Sequence, residues 1–493
     1  MFTTAGEDTL APPTGRPRVI DHVNNLKLQH LVELFKLGDG CVAMCREIET
    51  WMREHDVVYG DETIPFVLMP HFVSPGQVRR LRHAVAALSA VLERFCERYG
   101  EDAALRDELG LPEAERELIA LDPGYPNPLR LCRLDAFLHG YEIKFLEFNA
   151  DSPAGMGYAD AVYEGLTTVV DLPQVRQDFD MGYAPMLPTF FENLLEAYGH
   201  IRARQADLPE RPRLALVDAA GTATEPEFRI VTAAARREGL DAIFGTLDDL
   251  TYDGSLLRLG GEPVHVVYRR AMAEELFDGG PLVDAMREHR AAVVNPFRTR
   301  VANNKKLFAL LEDPRWAELS SRDEKEVIRE TIPWTRIVRP GRVTYGDWVV
   351  DLLPFVADNR QKLVLKPASD YGGRGVALGM ETSEEEWATL LDEHAERADL
   401  VVQEYVPIPE DLFPAIEDGR VNMRLKRFNV NPFGIGGRYA GMLTRISDQA
   451  VINVAAGGGM LPSVVGRHKK RLLADGDGEG ANGDDPFPGP PAA

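Results

Sequence analysis

The sequence has few cysteines, few basic residues relative to acidic ones, and no long apolar run. Four cysteines among 493 residues are too few for a disulfide scaffold. Lys and Arg number 55 against 78 Asp and Glu, and the formal charge of −23 excludes nucleic acid and anionic membrane surfaces as general partners. The uncharged stretch over residues 449–466 contains Pro462 and several glycines, so it is a poor membrane helix.

Targeting and metal-binding cysteine patterns are also missing. The first 20 residues lack a basic start followed by an apolar run, so we expect a soluble cytoplasmic protein. Cys41 and Cys45 have helical i, i+4 spacing, but Cys96 and Cys132 lie far away in sequence. Small buried side chains explain these cysteines better than a four-ligand metal site does.

Composition and periodicity predict a folded core flanked by two irregular ends. With 44% hydrophobic and 27% charged residues, most of the chain can bury a core, and its length suggests about three domains. Residues 1–20 are predicted to be a mobile arm, and the acidic, glycine-rich residues 467–493 a disordered tail. Residues 21–125 are predicted to be helical, most clearly over residues 75–99, where apolar side chains recur every three or four positions.

After residue 125 the pattern changes to strands. LCRLDAFLHG and YEIKFLEFNA predict a hairpin that turns at His139–Gly140. From residue 211, alternating apolar strands and a helix predict a parallel β-α-β unit. KLVLKPASDYGGRGVALG predicts two strands around a glycine loop, and LVVQEYVPI a buried strand. GIGGRYAGMLTRIS and AVINVAAGG are interpreted as paired strands.

The glycine loop is the first candidate for chemistry. Lys366 ends an apolar strand, and three glycines follow at Gly372, Gly373 and Gly375. Glycines let backbone N–H groups approach phosphate oxygens, and a lysine adds a positive charge to them. The loop is neither a Walker A loop nor a dinucleotide fingerprint, because no Gly-Lys-Ser/Thr follows and a strand succeeds it. A tight hairpin with a surface lysine is the structural alternative.

The second candidate lies on the predicted hairpin. Residues i and i+2 of a strand face the same side. Arg133 and Asp135 therefore share one face of the first strand, and Glu147 and Asn149 share one face of the second. If the two strands pair, two carboxylates and an amide oxygen converge. Such a set of hard oxygen ligands suits Mg²⁺ carrying nucleotide phosphates. The alternative is a polar edge face, although burying unpaired carboxylates in an apolar sheet is costly.

Together these motifs resemble the ATP-grasp superfamily, and more narrowly its circularly permuted branch, which includes the synthetase domain of glutathionylspermidine synthase. In that branch the Arg-x-Asp and Glu-x-Asn strands precede the glycine loop, as they do here by more than 200 residues. The resemblance covers roughly residues 130–465. It implies an α+β fold with ATP-grasp parts at 126–210 and 301–466 and an α/β substrate-binding unit at 211–300. The helical region at 21–125, predicted from its periodicity, precedes them.

The resemblance also implies residue roles. Asp135, Glu147 and Asn149 would hold Mg²⁺, and Arg133 would be the catalytic residue that stabilises the transferring phosphoryl group and the acyl-phosphate. Lys305 is preferred to Lys306 because family members have Asn-Lys at this place. The residues implied to bind ATP are Lys305, Lys366, Gly372, Gly373, Gly375, Gln403, Glu404, Tyr405 and Val406.

The function implied is an ATP- and Mg-dependent ligase that joins a small-molecule or peptide carboxylate to an amine through an acyl-phosphate. Candidate substrate residues are Asp151, Ser152, Arg269, Arg270, Arg445 and Asn453. The N-terminal 120 residues and Asn453–Gly459 do not align with the synthetase, so its glutathione and spermidine substrates are not carried over. Two alternatives stay open: an ATP-dependent phosphotransferase, and a non-catalytic nucleotide-binding protein. The latter is disfavoured because the motif residues are all present.

Overall fold

The computed structural model describes residues 20–370, 374–417, 420–450 and 452–469, and side chains from residue 23. The predicted arm lies outside these residues except for Ile20, and so does the predicted tail from residue 470 onward. Gly372 and Gly373 of the glycine loop also lie outside them.

Fifteen α-helices occur in the described residues. They are α1 (Ile20–Leu37), α2 (Gly40–Glu54), α3 (Pro75–Arg98), α4 (Ala103–Leu109), α5 (Glu113–Ile119), α6 (Met156–Val169), α7 (Pro173–Asp178), α8 (Met186–Arg204), α9 (Glu225–Arg237), α10 (Pro281–Arg287), α11 (Arg300–Asn303), α12 (Lys306–Leu310), α13 (Arg322–Thr331), α14 (Leu352–Asp358) and α15 (Glu384–His394). No helix among the described residues is both apolar enough and long enough to span a bilayer.

The strands described are β1 (Val58–Tyr59), β2 (Glu62–Thr63), β3 (His71–Val73), β4 (Leu131–His139), β5 (Glu142–Asn149), β6 (Phe179–Gly182), β7 (Arg213–Asp218), β8 (Asp241–Thr246), β9 (Leu250–Tyr252), β10 (Leu257–Leu259), β11 (Glu262–Pro263), β12 (Val266–Arg269), β13 (Ala292–Val294), β14 (Thr335–Ile337), β15 (Arg342–Tyr345), β16 (Trp348–Asp351), β17 (Leu363–Pro367), β18 (Ala377–Leu378), β19 (Leu400–Glu404), β20 (Glu410–Glu417), β21 (Arg420–Ile435), β22 (Arg438–Ser447) and β23 (Gly459–His468).

An eight-stranded sheet organises the molecule. Its order is β3-β23-β22-β21-β4-β5, with β20 added to β21 and β6 to β23. The predicted hairpin is confirmed: β4 and β5 pair antiparallel, with Arg133 opposite Asn149 and Asp135 opposite Glu147. The sheet therefore joins strands from the two predicted ATP-grasp parts.

One strand prediction is wrong. Residues 450–458 were expected to pair with the strand before them, but Val454–Ala456 form a 3₁₀ turn and the pairing strand is β23. Asn453 caps this turn by accepting from the Ala455 N–H at 3.1 Å. An Asn that bonds its local backbone competes with strand pairing, and the glycines that follow permit the turn. The strand also continues to His468, past the predicted start of the tail.

Two smaller sheets flank the large one. The predicted β-α-β unit is confirmed as a four-stranded parallel sheet of order β13-β12-β7-β8, with α9 connecting β7 to β8. A second sheet of order β14-β19-β17-β18 carries the strands on either side of the glycine loop. Its core is separate and contains Trp387, Leu365 and Val402.

Helix α3 packs along the large sheet and confirms the predicted apolar stripe. Its first turn is fixed by a capping box, in which Ser74 Oγ accepts from the Gln77 N–H at 3.1 Å and Gln77 Oε1 accepts from the Ser74 N–H at 2.8 Å. Val78, Leu81 and Leu88 on one face are fully buried. The region predicted to be helical also contributes one short strand, β3, to the large sheet. This strand was not predicted because helices surround it in the sequence.

Glu93 on α3 is expected to make stability depend on pH. Its carboxylate accepts from the Leu129 N–H at 2.9 Å, and burial raises the pKa of Glu93 from 4.5 to about 7. The folded state therefore holds this proton more tightly than the unfolded chain, and stability falls as the pH rises from 4.5 to 7. We expect Glu93→Gln to stabilise the protein at pH 8 by roughly 2 kcal/mol, because the charge is removed while an acceptor remains.

Thermal unfolding at pH 5 and pH 8 measures this effect. The gain of Glu93→Gln over wild type should shrink toward pH 5, where Glu93 is protonated in the folded protein. Glu97→Gln is the matched control, because Glu97 lies on the same helix and is exposed. If Glu93→Gln stabilised the protein equally at both pH values, titration of Glu93 would not be the cause of the added stability.

Candidate active site

A cavity of about 400 Å³ opens between the large sheet and the sheet that carries the glycine loop. Strands β4, β5, β21 and β22 supply one wall, and β17, β18 and β19 supply the facing wall. Segments beside the parallel α/β unit, including Thr224 and Met272, close one end. The cavity thus lies where the three sheets approach one another.

The predicted hairpin residues converge on this cavity. The antiparallel register sets Asp135 across from Glu147 on adjacent strands, and Asn149 Nδ2 donates to Glu147 Oε1 at 3.3 Å. Arg133 donates to both oxygens of Asp135, at 2.7 and 3.1 Å, and to the Ala154 carbonyl at 2.9 Å. Arg133, Asp135, Glu147 and Asn149 all line the cavity. The strand alternation therefore brings the four side chains together.

A second arginine completes the charge balance around Asp135. Arg445 of β22 donates to the Asp135 carboxylate and to Asn431 Oδ1, and Asn431 Nδ2 donates to Asn429 Oδ1 at 3.0 Å. Burial raises the pKa of Asp135, but the two guanidiniums outweigh it and hold that pKa below its usual range. Asp135 is therefore ionised at neutral pH. Asn429 and Asn431 are site residues that the sequence analysis missed, although their i, i+2 spacing in an apolar strand was a usable signal.

Two lysines face the carboxylates from the opposite side. Lys305 Nζ lies 3.9 Å from Glu147 Oε2 and donates to the Asp370 carbonyl beside the glycine loop. Lys366 Nζ donates to Gln403 Oε1 at 2.6 Å and to the Leu146 carbonyl at 3.1 Å. Burial, together with the charge of Lys305, lowers the pKa of Lys366 to about 8, against the opposing effect of Glu147. Both lysine side chains line the cavity.

The side chain of Lys306 makes different contacts from that of Lys305. Its Nζ donates to the Glu108 and Leu109 carbonyls at the end of α4, at 3.1 Å each. Lys306 thus ties α4 to α12, whereas Lys305 lines the cavity. The two adjacent lysines therefore serve different parts of the fold.

Part of the cavity lining is apolar. Val364 and Leu378 line the cavity from the sheet that carries the glycine loop, and Phe137 and Leu146 line it from the large sheet. Gln403 and the segment Glu404–Tyr405–Val406 line the cavity as well. Gln403 accepts from Lys366, and its Nε2 donates to Thr335 Oγ1 at 3.0 Å, so it positions the lysine.

The described part of the glycine loop shows why glycine is needed there. Gly375 has φ +65°, and a Cβ on it would lie 2.7 Å from Pro367 Cγ. Arg374 and Asp370 line the cavity beside it. The predicted roles of Gly372 and Gly373 concern residues outside those described.

The predicted substrate residues divide into two groups. Ser152, Arg445 and Asn453 line the cavity. Arg269 has 0% exposure and is paired with Asp151, while Arg270 pairs with Glu227 at 3.4 Å. Neither arginine lines the cavity, so their predicted place in the substrate site is corrected: Arg269 holds Asp151. The sequence alone could not show whether either arginine has a carboxylate partner.

Asp151 lies at the cavity wall with its charge already balanced. It is 1% exposed and accepts from Arg269 and, at 3.3 Å, from Arg300. Arg300 in turn pairs with Glu115 at 2.7 Å. Asp151 therefore anchors the loop that follows β5 and offers little surface to a substrate.

Three residues that the sequence analysis did not select hold this loop and the hairpin. Asn295 Nδ2 donates to the Leu131 and Ala150 carbonyls at 2.6 and 2.7 Å, and so clamps the outer ends of β4 and β5. Asn303 Oδ1 accepts from the Ala150 N–H at 3.1 Å. Glu227 Oε1 accepts from the Gly155 and Gly157 N–H groups at 2.8 and 3.0 Å.

The donor set fits a magnesium ion. Glu147 and Asn149 offer oxygen atoms to the cavity, and Asp135 lies beside them on the neighbouring strand. Asp135 accepts from two arginines. To bind a metal ion, Asp135 would have to lose one of these contacts, and the released arginine would have to bind another anion. No group of three His, Cys, Asp or Glu side chains poised to hold a metal occurs among the described residues, since the third donor here is an amide.

Most of the chain matches one known protein family. Residues 48–457 match the family model described as glutathionylspermidine synthase preATP-grasp, so the chain belongs to that family. The motif resemblance covered roughly residues 130–465, whereas the family match begins at residue 48. The match also includes Asn453, which the motif resemblance did not align.

Two relatives show what the chain is similar to. A glutathione synthetase-like effector from Globodera pallida has the same fold, with a TM-score of 0.58 at 14% identity, over 85% of this chain and 96% of that one. A glutamate–cysteine ligase-like protein of Frankia casuarinae is 24% identical over 418 residues, which are 76% of this chain. The chain spans 45% of the length of that relative.

Proposed function

We propose that this protein is an ATP-dependent carbon–nitrogen ligase with a circularly permuted ATP-grasp fold. One observation carries the proposal: Glu147 and Asn149 line the same cavity as Lys305 and Lys366, and apolar side chains line it too. The order of the motifs supports the permutation, because the β4–β5 hairpin precedes the glycine loop in sequence. The domain layout of the sequence analysis is part of the same proposal.

In this proposal ATP lies across the cavity. Its base would lie against the apolar side chains beside Glu404–Tyr405–Val406, and its phosphates against the two lysines. Glu147 and Asn149, with Asp135 as third donor, would hold Mg²⁺, which would supply positive charge to offset the charge that develops during phosphoryl transfer. The glycine loop would cover the phosphates and exclude water from a labile acyl-phosphate.

The chemistry proposed has two steps. A carboxylate oxygen of the acid attacks the γ-phosphorus, ADP leaves, and an acyl-phosphate forms. The amine nitrogen then attacks the carbonyl carbon, phosphate leaves, and the nitrogen loses a proton to give the amide. Arg133 and Arg445 orient the acid and stabilise negative charge in both steps, since their guanidiniums lie at the cavity wall within reach of one anion, Asp135.

An isotope experiment tests this function. The purified protein is given ATP, Mg²⁺, a panel of ¹⁸O-carboxylate amino acids and a panel of amines, and ADP, phosphate and product masses are measured. We expect ADP release that requires an acid, an amide whose mass is one water below its parts, and ¹⁸O in the released phosphate. A product that retains the phosphoryl group would instead indicate a phosphotransferase. Tight ATP binding without turnover would indicate a non-catalytic nucleotide-binding protein.

A further inference from the structure

The cavity has one end that the nucleotide would not occupy. This acceptor end, as we call it, is lined by loop 152–155 after β5, by segments of the parallel α/β unit, and by β22, β23 and the turn between them. The side chains lining it are Tyr59, Ser152, Pro153, Ala154, Tyr158, Thr224, Met272, Leu443, Ala450, Ile452, Asn453, Val454, Ala455 and Met460.

Direct contacts show that these segments form one continuous surface. Gly155 has φ +103°, and a Cβ on it would lie 2.9 Å from Leu443 Cδ2 and 3.8 Å from Met460 Cε. The Gly60 N–H, next to Tyr59, donates to the Ala223 carbonyl at 3.0 Å, next to Thr224. Ser152 Oγ donates to the Arg270 carbonyl at 2.7 Å, two residues before Met272. The loop, the α/β unit and the large sheet therefore meet around this end.

The side chains described at the acceptor end are neutral, and most of them are apolar. The carboxylates close behind it are already paired. Asp151 is 1% exposed and accepts from Arg269 and Arg300. Glu227 is 2% exposed, bonds two backbone N–H groups and pairs with Arg270. A ligand ammonium group placed here would lose its water without gaining a counter-charge, which costs several kcal/mol.

We propose that the acceptor end binds the amine substrate and selects amines with a compact, uncharged apolar group. The assignment rests on the proposed ligase function, and it excludes polyamines as good substrates. Arg133 and Arg445, at the middle of the cavity, hold the reacting carboxylate, so the remaining end is left to the attacking amine. Apolar contact with Ile452 and Met460 provides its binding energy.

Two experiments test the proposal: a comparison of an apolar amine with a diamine, and the introduction of one carboxylate at the acceptor end. ADP release is measured with the amino-acid panel as acids and with either isoamylamine or 1,4-diaminobutane as the amine. We expect wild-type kcat/KM to be at least about tenfold higher for isoamylamine. Val454 is half-buried on this wall, so Val454→Glu supplies a carboxylate at little cost to folding. It should reverse the preference toward the diamine, whereas Val454→Gln, of the same size and uncharged, should not.

The outcomes distinguish failure of the acceptor-end assignment from failure of the ligase function on which it rests. A wild-type preference for 1,4-diaminobutane, or an equal response to Val454→Glu and Val454→Gln, would overturn the acceptor-end assignment and leave the ligase standing. Absence of amine-dependent ADP release with every acid, despite ATP binding, would overturn the ligase function and the assignment with it.

Discussion

Glu147→Ala is expected to abolish ATP-dependent product formation while the protein stays folded. Glu147 makes no arginine ion pair in the contacts described, and its neighbours include Asn149 and, at 3.9 Å, Lys305. In the proposed mechanism, removing it would take away an oxygen ligand for Mg²⁺ and leave the phosphates with less charge compensation. Metal stabilisation of a phosphoryl transfer contributes several kcal/mol, so we expect a loss of roughly 10³-fold or more in kcat/KM.

The measurement is product formation at saturating ATP and varied Mg²⁺, with circular dichroism and thermal unfolding as checks on folding. Glu142→Ala is the matched control, because Glu142 is on the same strand, 64% exposed, at the turn end of the hairpin. It should retain wild-type activity. A Glu147→Ala protein with normal product formation would refute the metal assignment.

Lys366→Ala is expected to weaken ATP binding by between about tenfold and a hundredfold. A charge-assisted hydrogen bond contributes about 1.5–3 kcal/mol, and Lys366 is held toward the cavity by Gln403 and the Leu146 carbonyl. Calorimetric titration with ATP measures the change. Lys362→Ala is the matched control, because Lys362 immediately precedes the same strand and its side chain is exposed. Equal ATP affinity in Lys366→Ala and wild type would count against a phosphate role.

The same lysine predicts how ATP affinity depends on pH. Because burial lowers the pKa of Lys366 to about 8, the ligand-free protein loses this positive charge above pH 8, and ATP binding must then recapture a proton. Between pH 8 and 9.5 the affinity should fall, by at most about tenfold per pH unit. Lys366→Arg keeps its charge throughout this range, so its affinity should be nearly constant. A parallel decline in both proteins would place the titration elsewhere.

Much of the site could be predicted from sequence because strand geometry is local. Alternation by two placed Arg133 with Asp135 and Glu147 with Asn149, and the hairpin turn fixed which residues face each other. The two strands on either side of the glycine loop, β17 and β18, were also predicted from the sequence.

The rest could not be predicted because it depends on pairings between distant parts of the chain. The sequence did not reveal that Gln403 accepts from Lys366 on the neighbouring strand. Arg269 was a predicted substrate residue, but its partner is Asp151, 118 residues away. Residues 450–458 were apolar enough for a strand, yet the side chain of Asn453 accepts from the Ala455 N–H.

The order of strands in the large sheet has a consequence for synthesis on the ribosome. The β4–β5 hairpin is complete once residue 149 has been made, but the neighbour of β4 is β21, in which Arg133 faces Phe433. At typical elongation rates the hairpin waits roughly 15 to 60 s for that strand, with one edge open to other nascent chains. The yield of folded protein should therefore depend on how well that edge is shielded until residue 435 has emerged.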